Sequence, residues 1–110
     1  MAQHHAASGD IIDVRPLGSA WDDHVTTAFF KSDQLELVRL LLPRGKLMQE
    51  HQVAGEITVM CIEGLIEFTA HGRKQQMAAG HLIHLAAGEP HSLHALADTT
   101  ALLTICLKQG

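Results

Sequence analysis

The stretch EHQVAGEITVMCIEG, from Glu50 to Gly64, sets His51 and Glu56 at a spacing that suits metal ligation. Imidazole nitrogen and carboxylate oxygen are donors for Fe, Mn, Ni and Zn. The same stretch runs on into apolar residues and ends at a glycine, which outlines a strand and a turn. Either His51 and Glu56 help to hold a divalent transition metal, or the stretch is the frame of such a site with some ligands replaced. A nucleophile triad and a phosphate loop find no support. Ser8, Ser19, Ser32 and Ser92 have no context for a nucleophile triad, and the glycines are isolated, so no phosphate-cradling loop occurs.

The elements that position these residues read as β-structure. LELVRLLLP and HVTTAFF flank KSDQ as a hairpin, and IIDVRPL reads as an edge strand because Pro16 cannot donate to a ladder. EITVMCIE and LIEFTA meet at Gly64, His71-Gly72 marks a turn, HLIHLAAG follows Gly80, and HSLHALADTTALLTICL holds two strands joined near Asp98. Only SAWDDHV offers a helical turn. Many short strands at this spacing predict a sandwich or barrel. Residues 1–9, with His4 and His5, read as a poorly ordered tail, and residues 10–110 as a single domain.

With 110 residues, 46% of them hydrophobic and 18% charged, the chain suits one globular core. A net charge of −4 with no basic run argues against nucleic acid as a partner. The apolar runs are too short for a membrane span, and no secretory signal is visible at the start. Cys61 and Cys106 lie in apolar runs and read as buried thiols of a reducing compartment, so a cytoplasmic location is expected.

Two motifs give the chain a family likeness. Gly45 is followed after five residues by His51, after one more by Val53, after three by Ile57 and after six by Gly64. Gly80 is followed at the second motif's spacing by Ala86, Gly88, His91 and Ala95. In this, residues 35–107 resemble the cupins, whose first motif runs G, H, H, E, G and whose second runs G, P, G, H, N. The resemblance implies an all-β fold, a double-stranded β-helix or jelly-roll barrel with inward side chains alternating along each strand. It also implies that the metal ligands of such barrels are inward residues of the two motifs.

By that resemblance His51 holds the first histidine position and His91 the last, while Val53 and Ile57 replace the second histidine and the glutamate. Hydrocarbon has no lone pair for a metal. Glu56 sits one residue from the acidic position, and a one-residue offset turns a strand side chain to the other face. A β-bulge at Ala54-Gly55 would bring it inward and complete a two-histidine, one-carboxylate set for Fe(II). By strand parity Gln49, Val59 and Cys61 share the cavity, with Leu93 beside His91, whereas Met60, Ser92 and His94 point away. His84 is an alternative ligand with a structural role as its default, His81 is expected in solvent, and Trp21 across the barrel mouth or in a dimer contact.

Two main functions follow. One is an apolar pocket of Val53, Ile57, Val59 and Leu93 that binds a small organic ligand, oriented by His51 and His91. Each neutral histidine can donate and accept one bond, which matches a carbonyl or carboxylate. The other is a metal-dependent enzyme of the dioxygenase, isomerase or decarboxylase class that uses His51, His91 and Glu56. Metal-free proton transfer by either histidine near neutral pH is a third. The apolar run LVRLLL, together with family habit, predicts a homodimer.

Overall fold

The structure, a computed structural model, describes residues 5–107. His4 and the rest of residues 1–4 therefore lie outside the described residues. A 3-10 turn, Gly18–Asp23, precedes nine strands: β1 Thr27–Lys31, β2 Leu35–Leu42, β3 Leu47–His51, β4 Ile57–Glu63, β5 Leu65–Ala70, β6 Arg73–Ala78, β7 Leu82–Leu85, β8 His91–Ala95 and β9 Thr99–Cys106.

These sequences form strands because their apolar residues alternate. Ile57, Val59 and Cys61 of β4, Ile66, Phe68 and Ala70 of β5, and Leu93 and Ala95 of β8 are all buried, while their neighbours are less so. That period of two gives each strand one core face. A fully buried residue such as Phe68 contributes about 1.5–3 kcal/mol relative to leaving it in water. The strands pair antiparallel in two sheets, β1-β2-β9-β4-β7 and β3-β8-β5-β6. Their inner faces enclose the core, in jelly-roll fashion.

Gly64 is the corner where the chain leaves β4 in one sheet and enters β5 in the other. Its φ is +99°, and a Cβ there would overlap Thr99 Oγ1 and lie 2.6 Å from the Asp98 carbonyl oxygen. The next turn is the two-residue loop His71-Gly72 between the paired residues Ala70 and Arg73. Both have positive φ, 53° and 69°, as a type I′ hairpin turn requires.

The edge strand expected over IIDVRPL does not form: residues 11–17 join no ladder. The Asp13 carboxylate accepts the Arg15 main-chain N–H at 3.0 Å and is also gripped by the Arg15 guanidinium. A short polar side chain that bonds its own backbone competes with ladder pairing. That grip also holds the Asp13 carboxyl at a pKa of about 2. The segment is anchored instead by Glu63, whose carboxylate accepts the N–H groups of Leu17 and Gly18 and the Thr100 hydroxyl. Burial alone would raise the Glu63 pKa, but these three donors together hold it below the usual carboxylate range. Trp21 donates its indole N–H to the Thr99 carbonyl. Within the expected tail, Ala6 N–H donates to the Phe29 carbonyl at 2.8 Å.

Candidate functional site

His51 ends β3 and His91 begins β8, and the two are direct cross-strand partners. Their alignment depends on an irregularity. Met48 pairs with Leu93 and His51 with His91, so β3 spends three residues where β8 spends two. That extra residue is a β-bulge in the Gln49-Glu50 region. Without it, a strand with Met48 against the core would turn His51 outward. With it, His51 joins His91 on the inner face, where the ring centroids lie 4.3 Å apart and the planes are tilted by 56°.

The two rings have different surroundings. His91 is only 4% exposed and lies parallel over Phe68, with a centroid distance of 5.7 Å and an interplanar angle of 5°. His51 is exposed. Each Nδ1 contacts a main-chain carbonyl two residues back, Gln49 O at 3.0 Å for His51 and Glu89 O at 3.1 Å for His91. A carbonyl oxygen can only accept, so both Nδ1 atoms carry the proton in these bonds. In the neutral rings the lone pairs are then on Nε2.

Burial pushes the His91 pKa below its ordinary 6.5, and the nearby His51 adds to that push. The bond to the Glu89 carbonyl and the Glu89 charge pull the other way without reversing it. The consequence for stability has a definite sign. As pH falls below the ordinary histidine value, the unfolded chain takes up a proton at position 91 before the folded chain does. Stability is therefore lost on acidification through that window, down to the depressed folded value. We expect the slope of unfolding free energy against pH just below 6.5 to be smaller in His91→Gln than in the wild type, as measured by urea titration. An equal slope in both proteins would contradict this.

The other sequence candidates separate into floor, wall and surface. Ile57, Val59, Cys61 and Leu93 are buried in the core, and Val53 packs against it. The Val53 carbonyl accepts the Gly88 N–H at 2.9 Å, which joins the β3–β4 loop to the β7–β8 loop. Gln49 is exposed and reaches the pair through its carbonyl rather than its side chain. Cys61 is fully buried with Sγ 3.6 Å from the Glu63 carbonyl. Desolvation, with the Glu63 charge, pushes its thiol pKa up, which suits an inert core thiol. Ser92 and His94 lie on the alternate face of β8 from His91 and Leu93.

Glu56 is the main correction. Ala54 and Gly55 form a bend in the β3–β4 loop rather than a strand bulge. β4 is in regular register from Ile57 to Cys61, and Ile57 pairs with both Leu85 and Ile105. Ile57 therefore points inward, and Glu56 is left at the surface with its Oε1 2.6 Å from His84 Nε2. Among the described residues no three His, Cys, Asp or Glu side chains are grouped to hold a metal ion. Among the described residues the histidine pair has two imidazole nitrogens and no third ligand beside it, which does not fit a centre that needs three.

Sequence reasoning missed Phe68 and Glu89. Phe68 forms the floor under His91, and only the alternation in LIEFTA hints that it faces inward. Glu89 fixes the His91 tautomer through its carbonyl, while its carboxylate lies 3.5 Å from His71 Nδ1. Nothing in the sequence marks that role. A concavity of about 620 Å³ lies elsewhere, between residues 11–16 and the Met60–Ile62 region.

A two-sheet jelly-roll barrel with a histidine pair on neighbouring, paired strands of its inner wall defines the class. The model of the cupin domain family matches residues 38–107, and the chain belongs to that family. No curated protein matches the sequence. Among solved structures, the chain is similar to a protein of unknown function from Streptococcus pyogenes, with 20% identity, a TM-score of 0.76 and coverage of 100% of this chain and 98% of that one. A cupin superfamily protein from Desulfitobacterium hafniense gives 16% identity and a TM-score of 0.77, covering 94% of this chain and all of that one. A variant of salicylate 1,2-dioxygenase from Pseudoaminobacter salicylatoxidans gives 17% identity and a TM-score of 0.63, covering 66% of this chain and 21% of that one. At these identities the likeness is one of fold.

Proposed function

We propose that this cupin binds a small, mainly apolar organic molecule against the inner face, held by His51 and His91. The observation that carries this reading is that both Nδ1–H groups are committed to main-chain carbonyls. The pair therefore offers two adjacent Nε2 acceptors above an apolar floor. Such a pair recognises a hydrogen-bond donor, so the matching group is a hydroxyl, a phenol or an N–H rather than the carbonyl or carboxylate that free tautomers would allow. Phe68 and Leu93 are buried behind the pair, and the half-buried Val53, two residues after His51, would supply apolar contact, in keeping with pockets that fix orientation with a few polar groups.

Thermal unfolding with phenol, benzyl alcohol and benzamide tests this against acetophenone and benzoate, which lack a donor at neutral pH. A ligand that binds only the folded state at one hundred times its Kd adds about 2.7 kcal/mol. The donor probes should raise the midpoint in the wild type and lose that effect in His51→Ala and His91→Ala. Equal shifts from acetophenone, or no shift from any donor up to its solubility limit, would overturn the reading.

One observation favours a second reading, a metal-dependent enzyme. Histidines that ligate metals generally donate their other N–H to a carbonyl or carboxylate, as both do here. Fe, Mn, Ni or Zn would take His51 and His91 as its only protein ligands. Stoichiometric metal retained after reconstitution, and lost in both histidine variants, would favour it over the first. A homodimer remains the expected assembly, since Leu35 of β2 and Leu82 of the edge strand β7 are exposed on the five-stranded sheet. A monomeric mass by light scattering would refute that. The buried Cys61 thiol fits a reducing, cytoplasmic setting, and no helix among the described residues is long and apolar enough to cross a membrane.

A further inference from the structure

Arg39 is in the middle of β2, opposite Leu102 of β9, whereas its neighbour Leu40 packs on the core. By alternation the Arg39 side chain stands on the outer face of the five-stranded sheet, away from the histidine pair. Its guanidinium lies over the Phe29 ring, 5.0 Å from the centroid. Its Nη2 donates to His24 Nδ1 at 3.3 Å, so that histidine carries its proton on Nε2. Among the described residues Arg39 forms no ion pair, and its Nε is the one buried side-chain nitrogen or oxygen without a hydrogen-bond partner. Native proteins rarely leave such a donor unmet, and each case calls for an explanation.

The surroundings provide room for an acceptor. Asp13, Arg15, Pro16, Leu17, His24 and Arg39 line a concavity of about 530 Å³. The one carboxylate there does not fill the need, because both oxygens of Asp13 are taken by Arg15. What is left is a planar cation on an aromatic face and a neighbouring imidazole N–H, with the Asp13 charge nearby but its oxygens committed to Arg15. A guanidinium fork matches the two oxygens of a carboxylate or phosphate. We propose that this concavity is a binding site for a small oxyanion, a carboxylate or phosphate group, held by Arg39 with His24 as a second donor. A slight turn of the guanidinium on the Phe29 face presents Nε–H to the anion. The site is separate from the histidine pair, which is on the other sheet.

The test is a titration of the full chain with sodium phosphate, and separately with sodium acetate, at constant ionic strength held with sodium chloride. The readout is the Arg39 Nε–H resonance, with the thermal midpoint alongside. Either anion should shift that resonance saturably where chloride does not, and the response identifies the class, phosphate or carboxylate. His24→Ala should weaken binding about tenfold, and Arg39→Met should abolish the anion's effect on the midpoint. No saturable shift in the wild type would overturn the proposal, whether or not the variants fold. So would a midpoint gain that survives in Arg39→Met. If Arg39→Met splits a dimer while neither anion affects the wild type, the missing acceptor is a second copy's carboxylate and the proposal also fails.

Discussion

Gly64→Ala is expected to lower the unfolding free energy by about 2–5 kcal/mol, a large share of the stability of a marginally stable domain. Two costs add. Position 64 has φ +99°, a conformation in which an L-residue pays about 1–2 kcal/mol. The new methyl would also overlap Thr99 Oγ1 and sit 2.7 Å from Thr99 Cα. Overpacking against groups that cannot move costs about 1–3 kcal/mol more. Thr99 cannot easily give way, since its hydroxyl bonds the main chain at Leu65 and Ala97. Gly45→Ala is the control. Its φ is +89°, but a Cβ there meets nothing within 4 Å, so only the first cost applies. Urea unfolding of the two variants separates the effects; a Gly64→Ala loss no larger than that of Gly45→Ala would show that the corner tolerates a side chain.

Phe68→Ala is expected to cost about 3–5 kcal/mol, the usual loss for truncating a buried aromatic. Phe68 is 0% exposed and pairs across to Leu93, between the two sheets' apolar residues. The effect should also reach the site, because Phe68 is the surface on which the His91 ring rests. Removing it opens space beside the imidazole, so the His91 pKa should rise toward 6.5 as burial lessens. Binding of the donor probes should fall with it. Phe68→Leu restores most of the volume and should recover most of the stability, but not the stacked ring. A stability loss below about 1.5 kcal/mol in Phe68→Ala would mean that the floor collapses around the cavity at little cost.

How far these features were legible in the sequence follows from their physical origin. The barrel was readable because it rests on local rules. Alternation in EITVMCIE and LIEFTA fixes the inward faces, and glycines at 45, 64, 80 and 88 all take positive φ, as their motif positions suggested. The failures were non-local or sub-strand. The bulge in β3 is visible only from its pairing with β8, so the sequence, which offered Ala54-Gly55 as the place where a bulge would bring Glu56 inward, left the actual one in the Gln49-Glu50 region unseen. The edge strand at residues 11–17 lost to an Asp13–Arg15 side-chain grip that hydrophobic patterning does not register. Glu56 could be placed only once His84, 28 residues away, was known to meet it. The pairing of His51 with His91 was implied by the family resemblance, whereas the tautomer that determines what they bind comes from two carbonyls with no sequence signature.

The central claim is that His51 and His91 are a pair of Nε2 acceptors on the inner wall. Long-range ¹H–¹⁵N correlation spectra of the two imidazoles at neutral pH test it most directly. The account predicts that the proton is on Nδ1 in both rings, and that a phenol titration moves both Nε2 resonances together while leaving the His84 ring unchanged. A proton on Nε2 in either ring, or Nε2 resonances indifferent to every donor probe, would contradict it.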